Sequence, residues 1–347
     1  MANIMDLAYD ILISNFSRLK FPYKVIFAIT YRCNSRCKLC NIWKKKSRNE
    51  LTESEIKLIA KRIKFKWINI TGGEPFLRRD LARAIEYFIH YSGAFVFNIT
   101  TNGLVKEKIL SDVSRLVKKY PSAVFVVSVS VDGPKKVHDK LRGIKIWDKA
   151  VSTFSELKEL SKKHKNLHSF ISYTVSHYNY KYIFETFLDL KNKVPDIKPE
   201  NIHFNFVHVS ETYYSNLNLK IPKAFKKKAY ENLCKFWKQN IFTPLFFLDG
   251  IYIKKLKYFI EKGKTPIPCK ALNASLFLDP YGNVYPCTHF NVKLGNIRDT
   301  DYKISTIWNS VKAKTTWQKI RKNKCPQCWT PCETYQTILG NLSRVLI

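Results

Sequence analysis

The chain has 347 residues, 45% of them hydrophobic, which suits one large domain with a smaller one beside it. No apolar run approaches the roughly 18–20 residues that cross a bilayer, and Asp6 and Asp10 interrupt the N-terminus before a signal-peptide core can form; a cytoplasmic protein is the expectation. Sixty Lys plus Arg against 27 Asp plus Glu give a net charge of +33, and because thermal adaptation raises Glu together with Lys, an excess without acids points to an anionic partner: a membrane surface, RNA or an acidic substrate.

In chain order, residues 1–21 predict an amphipathic helix with Ile4, Leu7, Ala8, Ile11, Leu12, Phe16 and Leu19 on one face. Arg18 and Lys20 follow that face, as in helices that lie at membrane interfaces. The run 23–31 predicts a strand ending at YRCNSRCKLC, which sets Cys33, Cys37 and Cys40 in a C-x3-C-x2-C loop. Structural zinc sites are closed by a fourth Cys or His, and the next histidine is His90. Three thiolates on one inorganic centre leave a position open for chemistry.

Strands and helices then alternate. Thr52 and Glu55 stand in capping-box spacing at the head of a helix. Strands are expected at 66–71, 95–101, 123–131, 168–176 and 202–209, with helices near 78–92, 104–119, 147–164 and 180–193. Repeated β-α units predict a parallel sheet with right-handed crossovers, closed or partly open, and functional residues at the C-terminal ends of its strands. The cysteine loop, TGGEP (71–75), TTNG (100–103) and SVDG (130–133) all fall there.

Beyond about residue 215 the rhythm stops. The expected organisation is an N-terminal helix (1–21), a core (22–215), a helical connector (216–265) and a cysteine-bearing module (266–347). Eight of the nine cysteines fall in two groups, the loop trio and then Cys269, Cys287, Cys325, Cys328 and Cys332; Cys234 stands alone. In a cytoplasmic chain such clusters argue for metal or redox chemistry over disulfides. DPYGNVYPC (279–287) reads as a hairpin turn at Gly282 that presents Cys287. A zinc module that binds nucleic acid is the alternative for the second group, and nucleic acid is the lesser partner expectation.

The cysteine trio after the first strand and GGEP after the second resemble the radical S-adenosylmethionine (SAM) enzymes, over roughly residues 22–210. The resemblance implies a partial (β/α)6 barrel and a 4Fe–4S cluster on Cys33, Cys37 and Cys40. Its open iron would bind SAM, and reductive cleavage would give a 5′-deoxyadenosyl radical that takes hydrogen from an unactivated C–H bond. The same resemblance implies a SAM site at Gly72, Gly73, Glu74 and Pro75, with Glu74 accepting from the methionine ammonium. Ser130 and Asp132 are implied near the ribose, Arg142 on the carboxylate, Asn102 as a lesser contact, and Leu39 near the adenine, where the family often carries an aromatic residue.

The second cysteine group resembles the SPASM and twitch auxiliary-cluster modules, which implies one further 4Fe–4S cluster. Cys269, Cys287, Cys325 and Cys328 are the favoured ligands, with Cys332 either replacing one of them or leaving a site open for substrate. A low-potential ferredoxin- or flavodoxin-like electron donor is implied. For the substrate, a membrane lipid leads, with the protein peripheral at the membrane surface; a ribosomally made peptide, bound through an acidic segment, is the alternative. The oligomeric state is left open.

Overall fold

The computed structural model describes residues 2–238 and 247–345; of the expected connector, 239–246 lie outside the described residues. The first helix, α1 (Ala2–Phe16), leads into β1 (Lys24–Thr30). Five β-α units follow: α2 (Glu53–Arg62), β2 (Trp67–Gly72), α3 (Leu81–Tyr87), β3 (Val96–Thr101), α4 (Lys106–Lys119), β4 (Val124–Ser130), α5 (Lys135–Arg142), α6 (Trp147–Lys163), β5 (Leu167–Val175), α7 (Ile183–Lys193) and β6 (Ile202–Phe206). The C-terminal part holds α8 (Lys223–Lys238), α9 (Phe247–Lys262), β7 (Ser275–Leu278), β8 (Asn283–Tyr285), β9 (Gly295–Asn296), α10 (Ile304–Trp308), α11 (Val311–Arg321), α12 (Pro331–Leu339) and α13 (Leu342–Val345).

The strand order is β6-β5-β4-β3-β2-β1-β7-β8-β9. Strands β1 to β6 run parallel to their neighbours, and β7 adds to β1 in parallel before the antiparallel β8 and β9. The C-terminal segment therefore extends the barrel sheet. Its β7–β8 hairpin turns at Gly282 (φ +83°), where the left-handed backbone suits glycine.

Burial alternates along β2 to β6 with the period of two that a strand imposes. Ile68, Ile70, Phe97, Ile99, Phe125, Val127 and Ile171 face outward and pack under the helices in one continuous core. The helices contribute the matching stripes, such as Ile109, Val113, Leu116 and Val117 of α4. The capping box at Thr52 and Glu55 is present at the start of α2.

Strand β1 is buried along its whole length, because α12 covers its inner face. The Lys24 ammonium, fully buried, donates to the Cys332 carbonyl at 3.0 Å and to Gln336 Oε1 at 2.6 Å, and lies 4.2 Å from the centre of the Trp67 ring. Helix α12 thus plugs the open side of the partial barrel.

The first helix departs from the expected single apolar face. Leu7, Ile11 and Ile13 pack with Leu19, Tyr23 and Ala274, whereas Ile4, Leu12 and Phe16 are exposed, Phe16 by 84%. The helix docks through its Leu7–Ile11 side, with Asp10 paired to Lys66 and Asn15 bonded to the Leu339 carbonyl. That orientation turns the other apolar residues outward.

Candidate functional site

Cys33, Cys37 and Cys40 come together on the wall of a cavity of about 280 Å3 at the C-terminal ends of the strands, with Leu39 beside them. The loop that carries them is tied down from three sides. Arg36 and Lys38 donate backbone N–H bonds to Arg142 and Leu141 of α5 at 2.9 and 2.8 Å. Asn102 Nδ2 donates to Asn34 Oδ1 at 2.7 Å and to Ser35 Oγ at 3.0 Å. The segment after β6 covers the loop, with Asn216 Nδ2 bonded to the Leu39 carbonyl at 2.9 Å and Asn41 N to the Tyr214 carbonyl at 2.9 Å.

Burial pushes the Cys33 thiol up to about 11 and the Cys40 thiol up to about 12, and raises Cys37 as well. Three partly buried thiols that resist ionisation on their own suit a cationic centre, which deprotonates coordinating thiols outright. Among the described residues, no group of three or more His, Cys, Asp or Glu side chains is arranged to hold a single metal ion.

Gly72 and Gly73 also line the cavity, and their glycine requirement has a specific cause. A Cβ on Gly72 would lie 2.2 Å from the Thr30 carbonyl oxygen, and one on Gly73 2.2 Å from that of Arg32. The exit of β1 crosses directly over this turn, so it is chain, not only ligand, that excludes a side chain. Tyr213 Oη closes the turn from the other side, 2.5 Å from Thr71 Oγ1 and 3.2 Å from Gly72 N.

Glu74, expected to accept from the methionine ammonium, also accepts from the chain itself. It is fully buried, and it accepts from Phe76 N at 3.2 Å, Thr101 Oγ1 at 2.9 Å and Asn102 N at 2.7 Å. With its oxygens so engaged, it ties the GGEP turn to the β3 exit, while Pro75 starts a buried 3-10 turn behind it. Burial pushes the Glu74 carboxyl up to about 7 against those hydrogen bonds.

Ser130, Asp132, Asn102 and Arg142 reach the cavity wall. Arg142 Nη2 pairs with Asp132 Oδ2 at 2.6 Å, and Nη1 lies 3.8 Å from Cys37 Sγ. Asp132 Oδ1 accepts from Thr174 N at 2.8 Å, so this carboxylate is already held on both sides. The Arg142 Nε–H is buried and has no partner among the described residues.

In the C-terminal part, Cys328 feels Cys287, Cys269 and Cys325 as charged neighbours, and Cys269 feels Cys325. Cys332 stands apart: its charged neighbours are Lys24 and Glu333, and it lines the barrel cavity. Burial raises Cys269 to about 12 and pushes Cys287 and Cys328 well up. Of the five C-terminal cysteines, Cys332 lines the barrel cavity.

The lumen itself holds residues the sequence reading did not single out. Trp67, Asn69, Asn98, Ser128, Ser172 and Asn205 line the cavity, at the inward positions of β2 to β6. Deeper, Asp249 of α9 stands behind His203 and Tyr335: His203 Nε2 is 3.5 Å from Asp249 Oδ2, and Tyr335 Oη donates to Asp249 Oδ1 at 2.5 Å. The strand sequences WINIT, VFNIT, VVSVS and IHFNF carry the signal, since each alternates an apolar outward residue with an inward one that is largely polar.

The model of the radical SAM superfamily matches residues 27–190, and that of the SPASM iron–sulfur cluster-binding domain matches 269–333. The subtilosin biosynthesis protein AlbA of Bacillus subtilis, described as antilisterial bacteriocin biosynthesis, is 25% identical over 335 residues, covering 92% of this chain and 68% of that protein. The mycofactocin maturase MftC of Mycolicibacterium smegmatis is 31% identical over 153 residues, 42% of this chain and 37% of that protein. Among solved structures, anSMEcpe with bound S-adenosylmethionine and a Cp18Cys peptide aligns with a TM-score of 0.60 at 18% identity, over 93% of this chain and 97% of that one.

Proposed function

We propose, from the premise that this chain is a radical SAM enzyme with a C-terminal SPASM iron–sulfur module, that it modifies a ribosomally made peptide. The observation that carries this reading is the similarity to AlbA, which runs through both domains over 92% of the chain and links it to a protein of bacteriocin biosynthesis. The maturase MftC supports the same reading over the core. The membrane lipid expected first as substrate has no support from these relatives, and among the described residues no helix is long and apolar enough to cross a membrane.

SAM and 4Fe–4S clusters are the cofactors. When bound, they supply reductive cleavage of SAM and with it the power to remove hydrogen from an unactivated C–H bond; the protein supplies binding, orientation and exclusion of side reactions. Cys33, Cys37 and Cys40 would hold the first cluster. Gly72 and Gly73 offer backbone to SAM, with Ser130 and Asp132 on the adjoining wall and Leu39 over the loop. The unpaired Nε–H of Arg142 would take a carboxylate oxygen, while Glu74 and Asn102 keep these loops in register. Cys269, Cys287, Cys325 and Cys328 would hold the second cluster. The basic surface suits an acidic leader segment and an acidic ferredoxin- or flavodoxin-like reductant.

The test compares peptide and lipid extracts of cells expressing the active enzyme or its Cys33→Ala/Cys37→Ala/Cys40→Ala variant. A mass change confined to peptides, and present only with the active enzyme, is expected. Altered lipids beside unaltered peptides would overturn the reading.

A further inference from the structure

We infer that the lumen below the SAM cradle is a binding site for an uncharged amide unit of the substrate, either a peptide group or a carboxamide side chain. The inference rests on the peptide-modifying reading and names what its active cavity accepts. In closed barrels the interior is ordinarily packed with branched apolar side chains. Here the inward positions instead carry three carboxamides, Asn69, Asn98 and Asn205, with the hydroxyls of Ser128 and Ser172 between them.

Asn69 and Asn98 are direct register partners on β2 and β3. The Trp67 indole N–H donates to Asn98 Oδ1 at 2.6 Å and fixes that amide in place. Asn69 Oδ1 and Asn205 Oδ1 are buried, and among the described residues neither has a hydrogen-bond partner. Buried polar atoms are ordinarily satisfied, so two unsatisfied amides facing one cavity mark places where a ligand completes the bonding. An amide unit carries both a donor and an acceptor. The match therefore holds whichever end of each Asn side chain is oxygen and whichever is nitrogen.

The same wall argues against other ligand classes. An acyl chain offers no hydrogen bond and would leave both amides unpaired. A charged group would need a counter-charge. The Asp and Arg side chains on the wall, Asp132 and Arg142, are paired with each other at 2.6 Å, and Asp249 is taken up behind His203 and Tyr335.

The test uses the anaerobic holoenzyme with SAM and without reductant, so that binding is read apart from turnover. Three probes are compared by saturation-transfer NMR: N-acetyl-Ala-Asn-Ala-amide, its Asp counterpart and monodecanoylglycerol. The Asn tripeptide should bind at least about tenfold more tightly than the lipid; a further advantage over the Asp tripeptide assigns the side-chain carboxamide as the unit held, and equal binding of the two assigns a peptide group. Asn69→Leu/Asn205→Leu should lose about tenfold or more of that affinity while keeping iron content and SAM affinity; if the double variant does not fold, the single Asn69→Ala and Asn205→Ala variants give the same reading. Lipid binding equal to that of the Asn tripeptide, or Asn-tripeptide affinity indifferent to both positions, overturns the assignment. If peptides in cell extracts still carry the mass change, the lumen assignment alone falls; if lipids change instead, the peptide reading falls with it.

Discussion

Gly73 shows how tightly the cofactor cradle is set by backbone. A single methyl at this position would overlap the Arg32 carbonyl, and that carbonyl belongs to the residue just before Cys33 in the cluster loop. Overpacking costs about 1–3 kcal/mol where neighbours cannot move, so Gly73→Ala should displace the loop. Iron per chain and SAM affinity by anaerobic titration should both fall; full retention of both would show that the loop can yield. Glu74 makes a different prediction, one of pH. Its carboxyl, at about 7 in the folded protein against an ordinary 4.5, binds its proton more tightly folded than unfolded. Stability is then greatest below the unfolded value and falls as pH rises through the window from about 4.5 to 7, by about 3 kcal/mol at 1.36 kcal/mol per unit. Denaturant unfolding between pH 5 and 8 should show this slope, and Glu74→Gln should flatten it. An unchanged slope would assign the pH dependence elsewhere.

Helix α12 is the element that connects the two cysteine groups. It carries Cys332 on its lumen side and Glu333 toward Ser275, whose Oγ donates to Glu333 Oε2 at 2.8 Å, and it is clamped to β1 by Lys24. Lys24→Met should therefore loosen the plug. It leaves the Cys332 carbonyl and the buried Gln336 Oε1 without their donor, a loss of about 1–3 kcal/mol, and thermal unfolding would register it. The same geometry separates the cysteines: Cys328→Ser should lower the iron count of the auxiliary site, whereas Cys332→Ser should leave it intact. Equal iron loss in both variants would return Cys332 to the ligand set. The barrel elements were legible because period-two runs and capping signals are local: β2, β3 and β4 start and stop within a residue or two of their expected bounds, and the α2 capping box is where Thr52 and Glu55 put it. The cysteine loop and GGEP were legible as motifs. The bonds Glu74 accepts from the chain were not, because their three donors come from a neighbouring strand exit and from its own turn. The plug was not legible either, since Lys24 and Gln336 are 312 positions apart. The polar lumen was present as alternation in the strands, but only closure of the sheet tells which face is inside.

At the scale of the molecule, two features set the chemistry: a barrel whose C-terminal rim gathers three thiols and a glycine turn, and a C-terminal segment that extends the same sheet and places a second thiol group behind a helical plug. The net charge of +33 acts at longer range. It predicts that peptides with an acidic segment associate faster than neutral ones and that the difference shrinks as salt rises from about 0.05 to 0.5 M, because screening shortens the reach of surface charge; stopped-flow association rates at the two ionic strengths check this, and salt-independent rates would leave the charge without this role. Two cubane clusters correspond to about eight irons per chain. The most direct measurement is reductive cleavage of SAM by the anaerobically reconstituted protein and its Cys33→Ala/Cys37→Ala/Cys40→Ala variant, with iron counted in the same samples. The wild-type chain should hold about eight irons and release 5′-deoxyadenosine and methionine under a strong reductant, while the variant keeps about half the iron and releases neither. Continued reductive cleavage by the variant would contradict the assignment of the first cluster to these three cysteines.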